Sequence, residues 1–395
     1  MNEVANLWRR VAAPWRLALS VFVCLAMLAN CGGVGTGGTG SFASGPITGF
    51  GSIIVGGFEI DDSSASVLDD DGVPIVREGN ELRLGMTVDV DGGAATSGGN
   101  GPQASGIRVR TVTAVLGPVE AVDLGAGTAT VLGQTVQVTA ATVFDPSLRG
   151  GIASLRIGQA VAVFALPDAG SQRYLAMRVE QAQGSRVWRL RGIVSDLDAS
   201  ARSLRIGGAL LDYSGAAAPA DLADGQLVRA TIANPRSGTT LSVLSLEPAA
   251  PRPGDSEHTV LEGLVTAQAA PTLFHVNGVA VDASQAQIQP PRAVVAPGDY
   301  LVVEASSTEG GVLARNVVVL TRAELEARPY LVAGVVSRVD AVAQTMDVRN
   351  VTIDYSGASF VNGSAANLVP GVAVHASGPL SADGTQVRAT QVVFD

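Results

Sequence analysis

The chain has 395 residues, of which 47% are hydrophobic and 16% charged, so it can bury several cores and is not disordered throughout. All 26 basic residues are arginine, which excludes lysine nucleophiles, Schiff bases and a phosphate-loop lysine. A net charge of −10 and an aromatic content of 4% argue against a nucleic-acid partner, which wants a basic groove and stacking surfaces.

The first thirty residues read as an address. Arg9, Arg10 and Arg16 form a positive start, and Leu17 to Ala29 is an apolar run too short to span a bilayer comfortably. It ends in Leu28-Ala29-Asn30-Cys31, which is similar to a bacterial lipobox, with Asn30 in place of the usual small residue. Residues 1–30 are expected to be a lipoprotein signal peptide and Cys31 the lipidated residue; an ordinary signal peptide or short anchor is the alternative. Removing residues 1–30 would take the net charge to −12. Residues 31–43 read as a Gly-rich tether. Gly32, rather than aspartate, after the cysteine favours the outer membrane, facing periplasm or cell surface. Cys24 and Cys31 are the two cysteines of the chain, so no disulfide framework or Cys-ligated zinc is available to the rest of it.

From residue 44 onward two glycine markers recur. The first opens a strand at Gly45, Gly117, Gly192, Gly263 and Gly334; the second precedes another strand at Gly85, Gly158, Gly225, Gly298 and Gly371. Both keep a period of about 72 residues, which means about five tandem copies of one unit. Each unit reads as a strand, then a hairpin, then a polar residue (Asp61, Thr139, Asp212, Asp282, Asp354) suited to start a turn, then two more strands. Asn277-Gly278 is the strongest hairpin sign. Gly56-Gly57, Gly133-Gln134, Gly207-Gly208 and Arg349-Asn350 fill the same slot, and Arg349-Asn350 is the weakest turn of the five.

The expected fold is therefore all-β: tandem small OB-like five-stranded β-barrels, since closing five strands removes exposed sheet edges. The repeats are placed at 44–112, 113–182, 186–248, 260–320 and 330–395, with a linker at 249–259 and a short helical or extended connection from Thr321 to Arg328. Units this small are marginal alone, so packing between neighbours is expected to help.

The segments Ser44-Gly-Pro-Ile-Thr-Gly-Phe-Gly-Ser-Ile-Ile-Val55, Val131-Leu-Gly-Gln-Thr-Val-Gln-Val138 and Ala141-Thr-Val-Phe144 resemble the domain of unknown function family DUF5666. The resemblance covers most of 44–395 and is best in the first two repeats. It implies Gly-rich lipoprotein starts and tandem repeats, and it implies no activity.

Candidate chemistry is sparse. His258 falls in the linker, and His275 and His375 fall on two different strands, with no metal-ligand spacing among them. Asp69, Asp70 and Asp71 before Gly72 form the densest acidic cluster and a weak calcium candidate; a solvated turn explains them equally well. Arg186, Trp188, Arg189 and Arg191 form the one basic, aromatic stretch. It reads as an edge strand whose arginines could bind an anionic glycan or lipid headgroup. No cofactor is expected. The leading expectation is a membrane-tethered, non-enzymatic envelope protein whose barrels bind a protein or glycan partner. An envelope hydrolase with a carboxylate site between repeats, or a purely structural spacer, are the alternatives.

Overall fold

The computed structural model describes residues 40–75, 81–98, 101–182, 184, 187–233 and 239–395. The signal-peptide and Cys31 readings lie outside these residues, as does Arg186. The regular secondary structure of the described chain is almost all strand and forms five barrels of one topology.

Barrel 2 shows the plan. Its strands are Val115–Asp123, Thr128–Val131, Gln134–Gln137, Ala160–Asp168 and Arg173–Gln181. The first three pair antiparallel in sequence. The third then pairs parallel with the fifth, the fifth antiparallel with the fourth, and the fourth antiparallel with the first. The closed order 1-2-3-5-4-1 is the Greek-key barrel expected of an OB-like unit. The same circuit closes barrel 1 from Gly40 to Thr111, barrel 3 from Val187 to Pro248, barrel 4 from Ser256 to Leu320 and barrel 5 from Tyr330 to Phe394.

The two glycine markers have separate causes. The second marker adopts φ between 77° and 98° in all five units, a left-handed conformation that only glycine takes without strain. The first marker lies where the first strand crosses the hairpin at close range. A Cβ on Gly192 would stand 2.3 Å from Ile206, and one on Gly263 2.1 Å from the Asn277 amide. Glycine there lets the two pass closely.

The polar residue after the third strand also acts alike in every unit. Asp61, Asp212, Asp282 and Asp354 each accept a bond from the backbone N–H two residues on, at 2.8–3.0 Å, and Thr139 does so at 3.1 Å. All five hairpins have two-residue turns. In barrel 2 the turn is Leu132-Gly133, one residue earlier than the sequence reading, because Val131 pairs with Gln134. Leu132, despite φ 50°, is then free to bury its side chain.

The units do not follow one another as beads on a string. Barrel 1 touches all four others. The first strands of barrels 1 and 4 run parallel, Gly40 to Ser44 beside Ser256 to Leu261, and Gly49 and Phe50 pair with Leu331 and Val332 of barrel 5. Barrels 1 and 5 share one hydrophobic core, and barrels 2 and 3 share another. Barrel 4 has a core to which barrel 1 adds Phe42, and a small cluster of Leu166, Leu175, Met177, Leu264, Tyr300 and Leu325 joins barrels 2 and 4. Leu325 comes from α1 (Arg322–Ala327), a short helix started by a capping box between Thr321 and Glu324. The linker expected at 249–259 is shorter: Ser256 already belongs to the first strand of barrel 4, held there by pairing with barrel 1.

Candidate functional site: the junctions around barrel 1

The residues singled out in the sequence meet one another. Trp188 and Leu190, on one face of the first strand of barrel 3, are buried in the core shared with barrel 2. Arg189 and Arg191, on the other face, reach barrel 1. Arg191 donates to Asp70 at 2.7 Å and to the Ala249 carbonyl at 2.6 Å, while Arg189 pairs with Asp71. Arg229, on the neighbouring strand, bonds the Asp70 carbonyl, Asp71 at 3.0 Å and Glu247 at 2.9 Å. The Arg191 and Asp70 side chains are 8% and 4% exposed, so this is a buried ion pair.

This corrects the calcium reading of Asp69, Asp70 and Asp71. Asp69 turns back to accept from the N–H groups of Asp71 and Val73, whereas the other two carboxylates turn to guanidiniums. Three diverging carboxylates cannot form an oxygen cage. Among the described residues no group of three or more His, Cys, Asp or Glu side chains converges. His258 is likewise not in a linker: it lies on the first strand of barrel 4 with its ring 4.5 Å from that of Phe58 in barrel 1. His275 and His375 sit on separate strands, and His375 pairs with Asp395.

A second junction centres on Glu262, fully buried in barrel 4. Its carboxylate accepts from the Gly56 N–H of barrel 1 at 2.7 Å, from the Tyr300 hydroxyl at 2.6 Å and from Arg328 beyond α1. Burial, then the Glu262 charge, push the Tyr300 hydroxyl well above the ordinary phenol range.

A third junction, of barrels 1, 2 and 5, opens as a shallow cleft. Each barrel supplies it with one arginine: Arg83, Arg178 and Arg349. Arg178, 4% exposed, bonds Glu180 and the Leu84 carbonyl of barrel 1 at 3.1 Å. Arg83 bonds Asp145 at 3.0 Å. Burial works to raise Asp145, but bonds from Ser147 and the charges of Arg178 and Arg83 hold it below the ordinary carboxylate value. Arg349 donates to the Gly51 carbonyl at 3.0 Å and to Asp62 at 2.9 Å, with its guanidinium 5.1 Å from the Phe50 ring centre. In the sequence Arg349 stands out only as half of a poor hairpin turn, and Arg178 does not stand out. Arg83 carried no signal. The one available clue was a long charged side chain where three other units place glycine or asparagine.

Residues 117–180 and 333–393 match a family model described as Domain of unknown function (DUF5666). These are barrels 2 and 5; the barrel 1 residues that resembled the family most closely fall outside the matched segments. Among curated proteins nothing matches. Among solved structures, one titled "drosophila Unr CSD456" is similar at 12% identity, over 53% of this chain and 98% of that one, with a TM-score of 0.15. At that score the likeness carries no argument, and the assignment of the barrels rests on their strand pairing.

Proposed function

We propose that this chain is a lipid-anchored, non-enzymatic protein of the cell envelope that presents a packed cluster of barrels to a protein or glycan partner. The observation that carries the reading is the set of junctions around barrel 1. Five copies of a fold that commonly serves as a binding platform are fixed in one arrangement, so surfaces from different copies face the same clefts. The lipobox-like Leu28-Ala29-Asn30-Cys31 supports the anchor.

At the junction of barrels 1 and 2 the electrostatics fit ion pairing better than proton transfer. A general acid at neutral pH needs a carboxyl raised above its usual range. Asp145, which lies beside Glu180 between barrels 1 and 2, is instead lowered, and both carboxylates are bonded to guanidiniums. A pure spacer would gain little from folding its units back on the first.

Two measurements test this. Labelling with an alkynyl fatty acid should tag the native chain and leave Cys31→Ala untagged; equal labelling of both would remove the anchor. Cross-linking in cells of the source organism should recover one reproducible envelope partner. Recovery of abundant bystanders alone would count against a partner-binding role.

A further inference from the structure

We propose that the cleft between barrels 1, 2 and 5 binds a small oxyanion, the carboxylate of an acidic sugar being the form that suits an envelope binding protein. This rests on the binding-module reading above and names the ligand class for it.

The first argument is the composition of the wall. In a chain of net charge −10, the cleft is lined by Arg83, Arg178 and Arg349 and by no aspartate or glutamate. The carboxylates that partner these arginines, Asp145, Glu180 and Asp62, fix their heads and are not among the residues lining the cleft. Three arginines from three barrels therefore line one cleft, and a planar guanidinium is the side chain best matched to a two-oxygen anion.

The second argument is exposure. Arg178 is almost fully buried and preorganised, whereas Arg83 and Arg349 keep 40% and 31% of their side chains exposed at the mouth. A solvent-borne ligand can reach the outer pair and meet a rigid base. The remaining wall mixes apolar surface from Val143, Phe144 and Leu380 with the polar side chains of Thr385 and Gln386. That mixture suits a sugar ring bearing a charged group more than a bare ion.

The third argument is the turn that carries Arg349. Arg349 and Asn350 form a two-residue hairpin turn with φ of 47° and 60°. Glycine occupies at least one of the two turn positions in each of the other four barrels, as in Gly56-Gly57 and Asn277-Gly278. Leu132 and Asn277 hold the same position at φ 50°, so what sets this copy apart is the charged side chain that its turn brings to the cleft.

The test uses the purified full-length mature chain at low ionic strength. Three probes are titrated by calorimetry: a galacturonic acid trimer, its neutral methyl ester and inorganic phosphate. The trimer should bind, the ester should not, and Arg83→Gln should weaken binding at least about tenfold, since each bond to a charged group is worth ~1.5–3 kcal/mol. Arg349→Asn, which keeps a residue tolerant of positive φ, should do the same. Far-UV circular dichroism confirms that each variant is folded, and Arg83→Gln, at the exposed mouth, serves if Arg349→Asn is not. Binding of phosphate with equal sensitivity to the variants would uphold the oxyanion site and assign its source to phosphate groups. Absence of binding by trimer and phosphate, or binding unchanged by both variants, overturns the proposal. An envelope partner recovered by cross-linking despite that result would leave the wider function standing and remove only the cleft.

Discussion

The carboxylate of Glu262 gathers donors from barrels 1 and 4 and from the segment entering barrel 5. Glu262→Ala strands the Arg328 charge, the Tyr300 hydroxyl and the Gly56 N–H together, and breaking a buried pair from one side costs roughly 3–5 kcal/mol. Urea unfolding should show a loss of that size; a change under about 1 kcal/mol would mean the junction is solvated like a surface pair. His258 gives a pH-dependent counterpart. Burial against Phe58, and then the nearby Arg315 charge, lower its pKa from 6.5 to about 4. Between those values the unfolded chain takes up a proton that the folded chain refuses. Stability is thus complete above pH 6.5 and falls as the pH drops towards 4, by about 3 kcal/mol in all. Comparing urea midpoints at pH 7 and 4.5 for the native chain and His258→Leu checks it. The native chain should lose more; equal losses would show that the imidazole stays hydrated.

At the level of the hairpin and turn, most of the fold was legible because its causes are local. The Asp-x-Ser turns and the two-residue hairpins are decided within a few residues, and they are found where the spacing put them. The second glycine marker was legible for the same reason, being a conformational requirement. The slip at Leu132-Gly133 came from reading glycine as the first turn residue; burial of Leu132 decided the register instead. Partner choice was not legible. Arg191 and Asp70 were read as two unrelated candidate sites because 121 residues separate them, and no local pattern says which barrel a charge will face. The three cleft arginines were missed on the same ground. One turn also bears on how the barrels meet: a Cβ on Gly278 would stand 2.9 Å from Leu227 of barrel 3. With φ at +82°, Gly278→Ala combines backbone strain with a clash, and about 1–3 kcal/mol of destabilisation is expected by thermal unfolding. Gly158→Ala, also left-handed but with open space around it, should cost only the strain. A Gly278→Ala loss no larger than that of Gly158→Ala would show that barrels 3 and 4 do not meet there.

For the whole molecule, the packing of four barrels on the first predicts a compact particle. A folded body of the size spanning 40–395 should have a radius of gyration of about 21 Å. An extended row of five barrels would be well above that, so small-angle scattering separates the two arrangements directly. Barrel 1 as hub also sets an order in time. Its strand residues Gly49 and Phe50 pair with Leu331 and Val332, and its core is continuous with that of barrel 5, which ends at Phe394. A chain delivered N-terminus first completes barrel 1 earliest and covers it last. Until the final unit arrives, the first one waits with part of its apolar surface unsheltered. Such late, long-range docking is slow and leaves an interval open to proteases and to aggregation. The unit made first is thus the one most dependent on the chain being finished.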